Sequence, residues 1–453
     1  MNVNPSQLKT AALFILILGI AIGSYYILDP RLLAKPAKTV VTVQMFEGPE
    51  SEAMIPTVEH WNMHYSEETG IIVETRSLDR VGYFTKLEIQ LMSGMPEPDI
   101  VHPFSIHLGK IKDDLEPLDR YLEDEEIMTS PEGDRLSLDS MLDIALKTVE
   151  SPDGKTYMIP KDMSEVILYY RKDLIPKPPE TWEEYTAVSK NFTRALNPRS
   201  PTKYGTVMQG KYEMWTFCAA LENLWPNDVS IFKPGTETPN FKKEGVIRGF
   251  MVFEELSKAG AFPPESINAE HPEVASIVQD GEVAMAMQWN AFYQDLMNKE
   301  KSPKVFDKFD IAPPPGVRQA DGSIRRDMYV QTIGLAINKR SKKKRAAARF
   351  LMWATMGDGA EIYARGRDPL PGGSSPVKSV WGDDHILDLY PKILPWVEEY
   401  GRTTPVHEDV TDIMMIGSGW VQRVMAGDAT AEEASEGLNS EIAEFMEKKD
   451  RGG

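Results

Sequence analysis

The sequence predicts an α/β protein of more than one compact unit, with mostly parallel sheets flanked by helices, preceded by one apolar N-terminal span. Three observations carry this. The chain has 453 residues, 42% of them hydrophobic, whereas single cores stop growing near ~250–300 residues. Strand-like apolar runs alternate with helical patterns, the signature of parallel strands joined by crossovers. And residues 11–28 carry no charge.

That uncharged run (AALFILILGIAIGSYYIL) is long enough, at ~1.5 Å per residue, to cross a hydrocarbon core of ~30 Å. Tyr25 and Tyr26 would sit near one interface. A cleaved signal peptide is the competing reading. The run exceeds the usual apolar core of ~7–15 residues, and no clean small-x-small site follows it. Residues 1–10 then form a tail, 11–28 a transmembrane anchor or, in the competing reading, a signal segment, and 29–40 a linker.

The rhythm begins directly afterwards. Residues 40–46 (VVTVQMF) are β-branched and apolar and end at Glu47-Gly48-Pro49, a turn into a helix. Residues 53–65 have helical spacing and stop at Gly70; residues 71–75 (IIVET) form a second strand. A helix over 83–92 and a strand starting at 99–101 complete the first β-α-β-α-β unit. Further on, 157–160 and 166–170 read as two short strands, and Thr181 with Glu184 reads as a helix cap. Helical patterns follow at 214–224, 244–260, 347–364 and 431–448, with strands at 283–288 and 331–337.

Charge narrows the function. Fifty Lys and Arg against 69 Asp and Glu give −19, a field that repels nucleic acid and anionic headgroups. The basic run 339–345 (KRSKKKR) reads as a solvated helix start. Cys218 is the single cysteine, so no internal disulfide forms, and no metal-ligand spacing or cofactor motif is present.

Five segments, in order, resemble the family-1 extracellular solute-binding proteins, the group containing the maltose-binding protein. They are Asp153-Gly154-Lys155 through Leu168-Tyr169-Tyr170-Arg171-Lys172-Asp173 to Pro179-Glu180-Thr181-Trp182-Glu183-Glu184; Asp280-Gly281-Glu282-Val283-Ala284-Met285 to Trp289; Pro314-Pro315-Gly316 with Gly334-Leu335-Ala336-Ile337-Asn338; Leu370-Pro371; and Gly427-Asp428-Ala429-Thr430-Ala431. Each is weak alone, but together they cover 41–448. Arg171 departs from the family's usual Asn. The resemblance implies a two-lobed periplasmic-binding-protein fold of type II, closing about a hinge on a ligand. Lobe I would comprise 41–162 plus 330–376 and lobe II 163–329 plus 377–453. The implied function is capture of a small solute, most often a sugar, and delivery to the permease subunits of an ABC importer at the membrane. No cofactor, metal or nucleic acid is implied.

Sugar recognition needs flat aromatic faces against C–H patches and planar polar groups against hydroxyls, held in a cleft. Trp289 ends the Ala-Met…Trp segment where family members stack on sugar; its alternative is a core aromatic. Tyr212 and Trp215 resemble the family's opposing pair, Tyr212 as contact and Trp215 as core. Glu47 ends the first strand, where ligands of parallel sheets bind, although it could equally serve a helix N-terminus. Asp162 falls at the first lobe crossing, as ligand acceptor or hinge ion pair. Tyr329 and Gln331 fall at the second. Arg365 and Arg367 are rim candidates, against the commoner surface arginine. Asp99 reads as structural; Glu74, Arg76, Trp61, His102, Ser105, Met414 and Met415 stand behind these.

Two rivals remain from the residues. An exported glycoside hydrolase would need a carboxylate pair ~5–9.5 Å apart, and no motif singles one out. A tethered sensor that presents its solute to a membrane receptor would share every lobe feature.

Overall fold

The computed structural model describes residues 14–18, 37–80, 82–366, 373–382 and 389–452. The expected anchor therefore lies outside the described residues apart from Phe14–Leu18. Among the described residues no helix is long and apolar enough to cross a membrane.

The strands are β1 (Thr39–Phe46), β2 (Ile71–Leu78), β3 (Ile100–Val101), β4 (Met158–Arg171), β5 (Tyr204–Val207), β6 (Ser230–Phe232), β7 (Pro239–Asn240), β8 (Val283–Trp289), β9 (Phe309–Ala312), β10 (Val317–Arg318), β11 (Ile324–Arg325), β12 (Met328–Ile337) and β13 (Gly401–Arg402). Among the described residues nine of them form one sheet in the order β2-β1-β3-β12-β4-β8-β5, with β9 on β4 and β13 on β12. Helices pack on both faces, and the sheet divides into two lobes.

Two strands belong to both lobes, and their sequences say why. β4 is apolar at each end (Met158-Ile159 and Val166 to Tyr170) and polar in the middle (Lys161 to Glu165). β12 repeats the pattern, with Gln331-Thr332 between Met328-Tyr329-Val330 and Ile333-Gly334-Leu335. Each apolar end is buried in one lobe, and the polar centre spans the junction. The pair runs antiparallel, placing Gln331 opposite Ser164.

This corrects the expected parallel arrangement. β1 with β2, β1 with β3, and β5 with β8 are parallel. β3 with β12, β12 with β4, and β4 with β8 and β9 are antiparallel. The sheet is mixed because the two crossing strands run in opposite directions through both lobes. It also merges the stretches read as strands at 157–160 and 166–170 into the single strand β4.

Lobe I is filled by Val41, Val43, Met45, Trp61, Ile100, Ile337, Phe350 and Trp353. The lobe II core includes Ile167, Tyr169, Val283, Phe292, Tyr390 and Ile393. A third cluster joins the lobes through Phe46, Phe104, Val166, Trp289 and Tyr329. The helix read over 347–364 is two, Lys344–Met356 and Asp358–Gly366, broken where Gly357 takes extended backbone. The basic run is a helix start, with Lys343 paired to Asp99 at 3.0 Å and Lys344 to Glu116 at 2.7 Å.

Candidate functional site

The carboxyl ends of β1, β2 and β3 point at lobe II, as expected for open parallel sheets, which bind ligands beyond those ends. They deliver Phe46, Arg80 and Phe104. Lobe II answers with Trp215, on the helix Met214–Leu224, and with Trp289 and Asn290 at the end of β8. The middles of β4 and β12 form the floor.

An aromatic series crosses this junction. The Phe46 and Phe104 rings stack at 5.8 Å, and Phe104 meets Trp215 of the other lobe at 5.1 Å. Trp215 meets Trp289 edge-on at 6.1 Å, and Trp289 meets Tyr329 at 6.0 Å. Their faces and edges suit both C–H groups and hydroxyls of a carbon ring. Trp289 is held by its backbone: its N–H donates to the Gln288 side chain at 2.8 Å, and its carbonyl accepts from the Tyr169 hydroxyl at 3.1 Å.

Polar groups lie on the elements that carry the rings. Gln331 is buried, and its Oε1 has no protein hydrogen-bond partner. Such an orphan costs ~1–3 kcal/mol unless a guest satisfies it. Arg80 sits 4.8 Å over the Phe46 ring and pairs with Glu50 at 3.3 Å. Gly48 between them has φ 142°, and a Cβ there would meet the Arg80 guanidinium at 3.1 Å. Across the junction His271 starts the helix His271–Gln279, and its buried Nε2 also lacks a partner. Burial, then repulsion from Arg80, pushes the imidazole down to about 4, with Asp295 and Glu50 pulling weakly upward. It is neutral at pH 7.

The remaining candidates fall as follows. Asp162 is buried and its Oδ2 accepts from the Tyr363 hydroxyl at 3.0 Å; beside it the Lys161 ammonium lies 3.3 Å over the Tyr363 ring. Tyr329 is fully buried, with its ring at 5.8 Å on Trp225 and its N–H donating to Glu222 at 2.9 Å. Glu47 follows β1 directly and is exposed. Tyr212 is 52% exposed and lies over Gly419, where a Cβ would meet its ring at 3.1 Å. Arg365 is exposed and paired with Glu361 one turn earlier at 2.6 Å, while Arg367 lies outside the described residues. Trp289, Tyr329 and Gln331 are thus brought together, and Glu47, Tyr212 and Arg365 are not drawn into that group.

Of the reserve candidates, Asp99 is locked by Thr42, Ser341 and Lys343, Trp61 and Met414 are core, and Ser105 accepts from the Thr332 N–H at 3.2 Å. Sequence reasoning missed Arg80, Phe104, His271, Glu165 and Asn290. Arg80, Phe104 and Asn290 had one signal, their place just past a strand's carboxyl end.

Comparison with known proteins bears on the family and the fold. A family model described as bacterial extracellular solute-binding protein matches residues 49–356. A probable amino-acid ABC transporter periplasmic-binding protein of Sinorhizobium fredii is 22% identical over 404 residues, 85% of each chain. Among solved structures, maltose-bound MalE3 of T. maritima superposes with a TM-score of 0.74 at 22% identity, covering 90% of this chain and 99% of that one. An ABC transporter solute-binding protein of Agrobacterium radiobacter in complex with ribitol gives 0.72 at 20% identity, covering 91% and 100%. At such identities these likenesses establish the fold.

Proposed function

Because the chain belongs to the bacterial extracellular solute-binding proteins, which are binding proteins rather than enzymes, we propose that it captures an uncharged polyhydroxylated solute between its lobes. The solute is a mono- or oligosaccharide, or a polyol, and it is handed to the permease of an ABC importer. The observation that carries this is the ring series from Phe46 and Phe104 through Trp215 and Trp289 to Tyr329, with the orphan Gln331 oxygen two residues from Tyr329 along β12. Rings without an orphan acceptor would be ordinary core. An orphan without rings would suit an ion as well as a sugar.

In this reading lobe I is 41–162 plus 330–376, lobe II is 163–329 plus 377–453, and residues 11–28 tether the exported body to the membrane. Titrating maltose, ribitol, D-mannitol and D-tagatose against the full chain tests the solute class, with free amino acids as the contrasting arm. A bound solute raises the melting temperature progressively, by linkage worth ~2.7 kcal/mol at a hundred times Kd. Trp289→Ala should abolish that shift and leave the protein folded. Stabilisation by amino acids and not by polyols would reverse the assignment.

A further inference from the structure

A carboxyl group is buried where the lobes are connected, on neither aromatic wall. Glu165 lies in the middle of β4 and is 0% exposed. Its Oε2 accepts hydrogen bonds from the Asn290 amide, at the end of β8 in lobe II, and from the Ser374 hydroxyl at 3.1 Å. The amide also reaches the Ser374 hydroxyl oxygen at 2.9 Å. Backbone bonds reinforce the knot. The Asn290 N–H donates to the Glu165 carbonyl at 2.8 Å, and Met163 and Ser374 exchange N–H···O bonds at 2.7 Å in both directions. The carboxyl thus ties a crossing strand, a second connecting segment and lobe II at one point. That is where backbone torsions must change if one lobe rotates against the other.

We propose that Glu165 is a positioning residue whose protonated carboxyl clasps the crossing segments, so that closure of the lobes takes up a proton. The inference rests on the lobes moving to capture a solute, and adds regulation to that site. Its chemistry follows from the partners. Oε2 meets only the neutral Asn290 amide and Ser374 hydroxyl, and Oε1 has no protein partner, so nothing offsets the cost of burying a charge there and the neutral carboxyl is favoured. No lysine or arginine contacts the group among the described residues. The titratable groups facing it are Asp162 and Tyr169, both on β4. Asn290 and Ser374 bring neutral dipoles, and Val330 opposite on β12 brings no charge. Burial first, and Asp162 second, push the carboxyl up to about 8, against a counter-pull from Ser374.

The sign follows. A carboxyl with raised pKa binds more protons in the clasped state than when solvated, so clasping weakens as pH rises. The window runs from the ordinary value of 4.5 to about 8, where one linked proton changes the closed-to-open ratio by up to about tenfold per pH unit. The test uses the full chain without solute. Spin labels go on Met92→Cys in lobe I and Phe306→Cys in lobe II, both exposed positions, while native Cys218 is buried. Between pH 6.5 and 8, where His271 stays neutral, interlobe distances by electron resonance should show the closed fraction falling with pH in the parent and constant in Glu165→Gln, which keeps the amide-sized clasp without a titrating proton. Identical profiles in the two proteins overturn the proposal.

If Glu165→Gln does not fold, the infrared carbonyl band of protonated carboxyls in the parent decides. Part of it must disappear between pH 7 and pH 9 as Glu165 ionises; an unchanged band overturns the clasp. Neither measurement needs a solute. Failure to find a stabilising sugar would therefore sink the capture reading alone, and a flat pH profile would sink only the clasp.

Discussion

Two aromatic clusters in this molecule look alike in composition and differ in construction. Trp61, Tyr65, Phe350 and Trp353 pack at 5.2–5.7 Å around Trp61 and between Tyr65 and Trp353, all inside lobe I. Their polar edges are satisfied internally: the Trp353 indole N–H donates to Glu132 at 3.1 Å, and so does the Tyr65 hydroxyl. The other cluster draws Phe46 and Phe104 from one lobe and Trp215 and Trp289 from the other, and leaves polar atoms at Gln331 and His271 without protein partners. Aromatic content alone does not mark a site. Rings contributed by two bodies that can separate, beside polar atoms left open, do.

The largest effect that would break this contrast is on stability. Trp353 is fully buried, and Trp353→Ala removes its packing and its bond to Glu132, at a cost of about 3–5 kcal/mol. Denaturant unfolding should show that loss, whereas the fraction still folded should bind solute as the parent does. A Trp353→Ala protein with weakened solute affinity at unchanged stability would mean that the two clusters are not distinct in kind. Trp289→Ala is its counterpart, with the opposite distribution between binding and stability.

A finer comparison lies within the floor of the junction. In the polar middle of β4, Asp162 is held by Tyr363 and Glu165 Oε2 by Asn290 and Ser374, with Glu165 Oε1 left open at the hinge knot. The middle of β12 keeps Gln331 Oε1 open. Gln331→Leu should therefore leave the solute-free protein as stable as before or raise its melting point, because an unpaired buried amide is removed. It should weaken solute binding by about 1–3 kcal/mol, roughly 5- to 150-fold in Kd, read by calorimetric titration. Loss of stability without loss of affinity would assign Gln331 to the scaffold.

How much of this could be read from the chain depends on what each signal measures. Alternating apolar runs gave the β-α-β order of the first lobe, because each strand and helix there buries one continuous apolar stretch. β4 did not read as one strand, since Lys161 to Glu165 interrupt its hydropathy; that a strand leaves one core and enters another is invisible to periodicity. The same blindness made mostly parallel sheets the expectation. Trp289 and Gln331 stand on segments with local patterns. Arg80, in a loop, and His271, at a helix start, lie nearly two hundred residues apart in sequence, and Glu165 meets Asn290 and Ser374 only once both lobes are built. Charged residues in such positions look like surface residues until the fold buries them.

The smallest expected effect concerns which side of neutrality the junction tolerates. His271 is depressed from 6.5 to about 4, so between those values the unfolded chain binds a proton that the folded chain refuses. Stability contributed by the neutral ring is complete above pH 6.5 and is lost as pH falls towards 4, at up to about 1.4 kcal/mol per pH unit. His271→Gln keeps a polar planar group and cannot be protonated. The difference in unfolding free energy between parent and variant should vary with pH across that window and level off above it. His107 and His60 titrate in both proteins and cancel in the difference. Glu165 acts in the opposite sense, favouring the acid side, so the junction is squeezed from both directions and holds best between the two transitions. If the difference is independent of pH, His271 is solvated, and Arg80 then faces water rather than the other lobe.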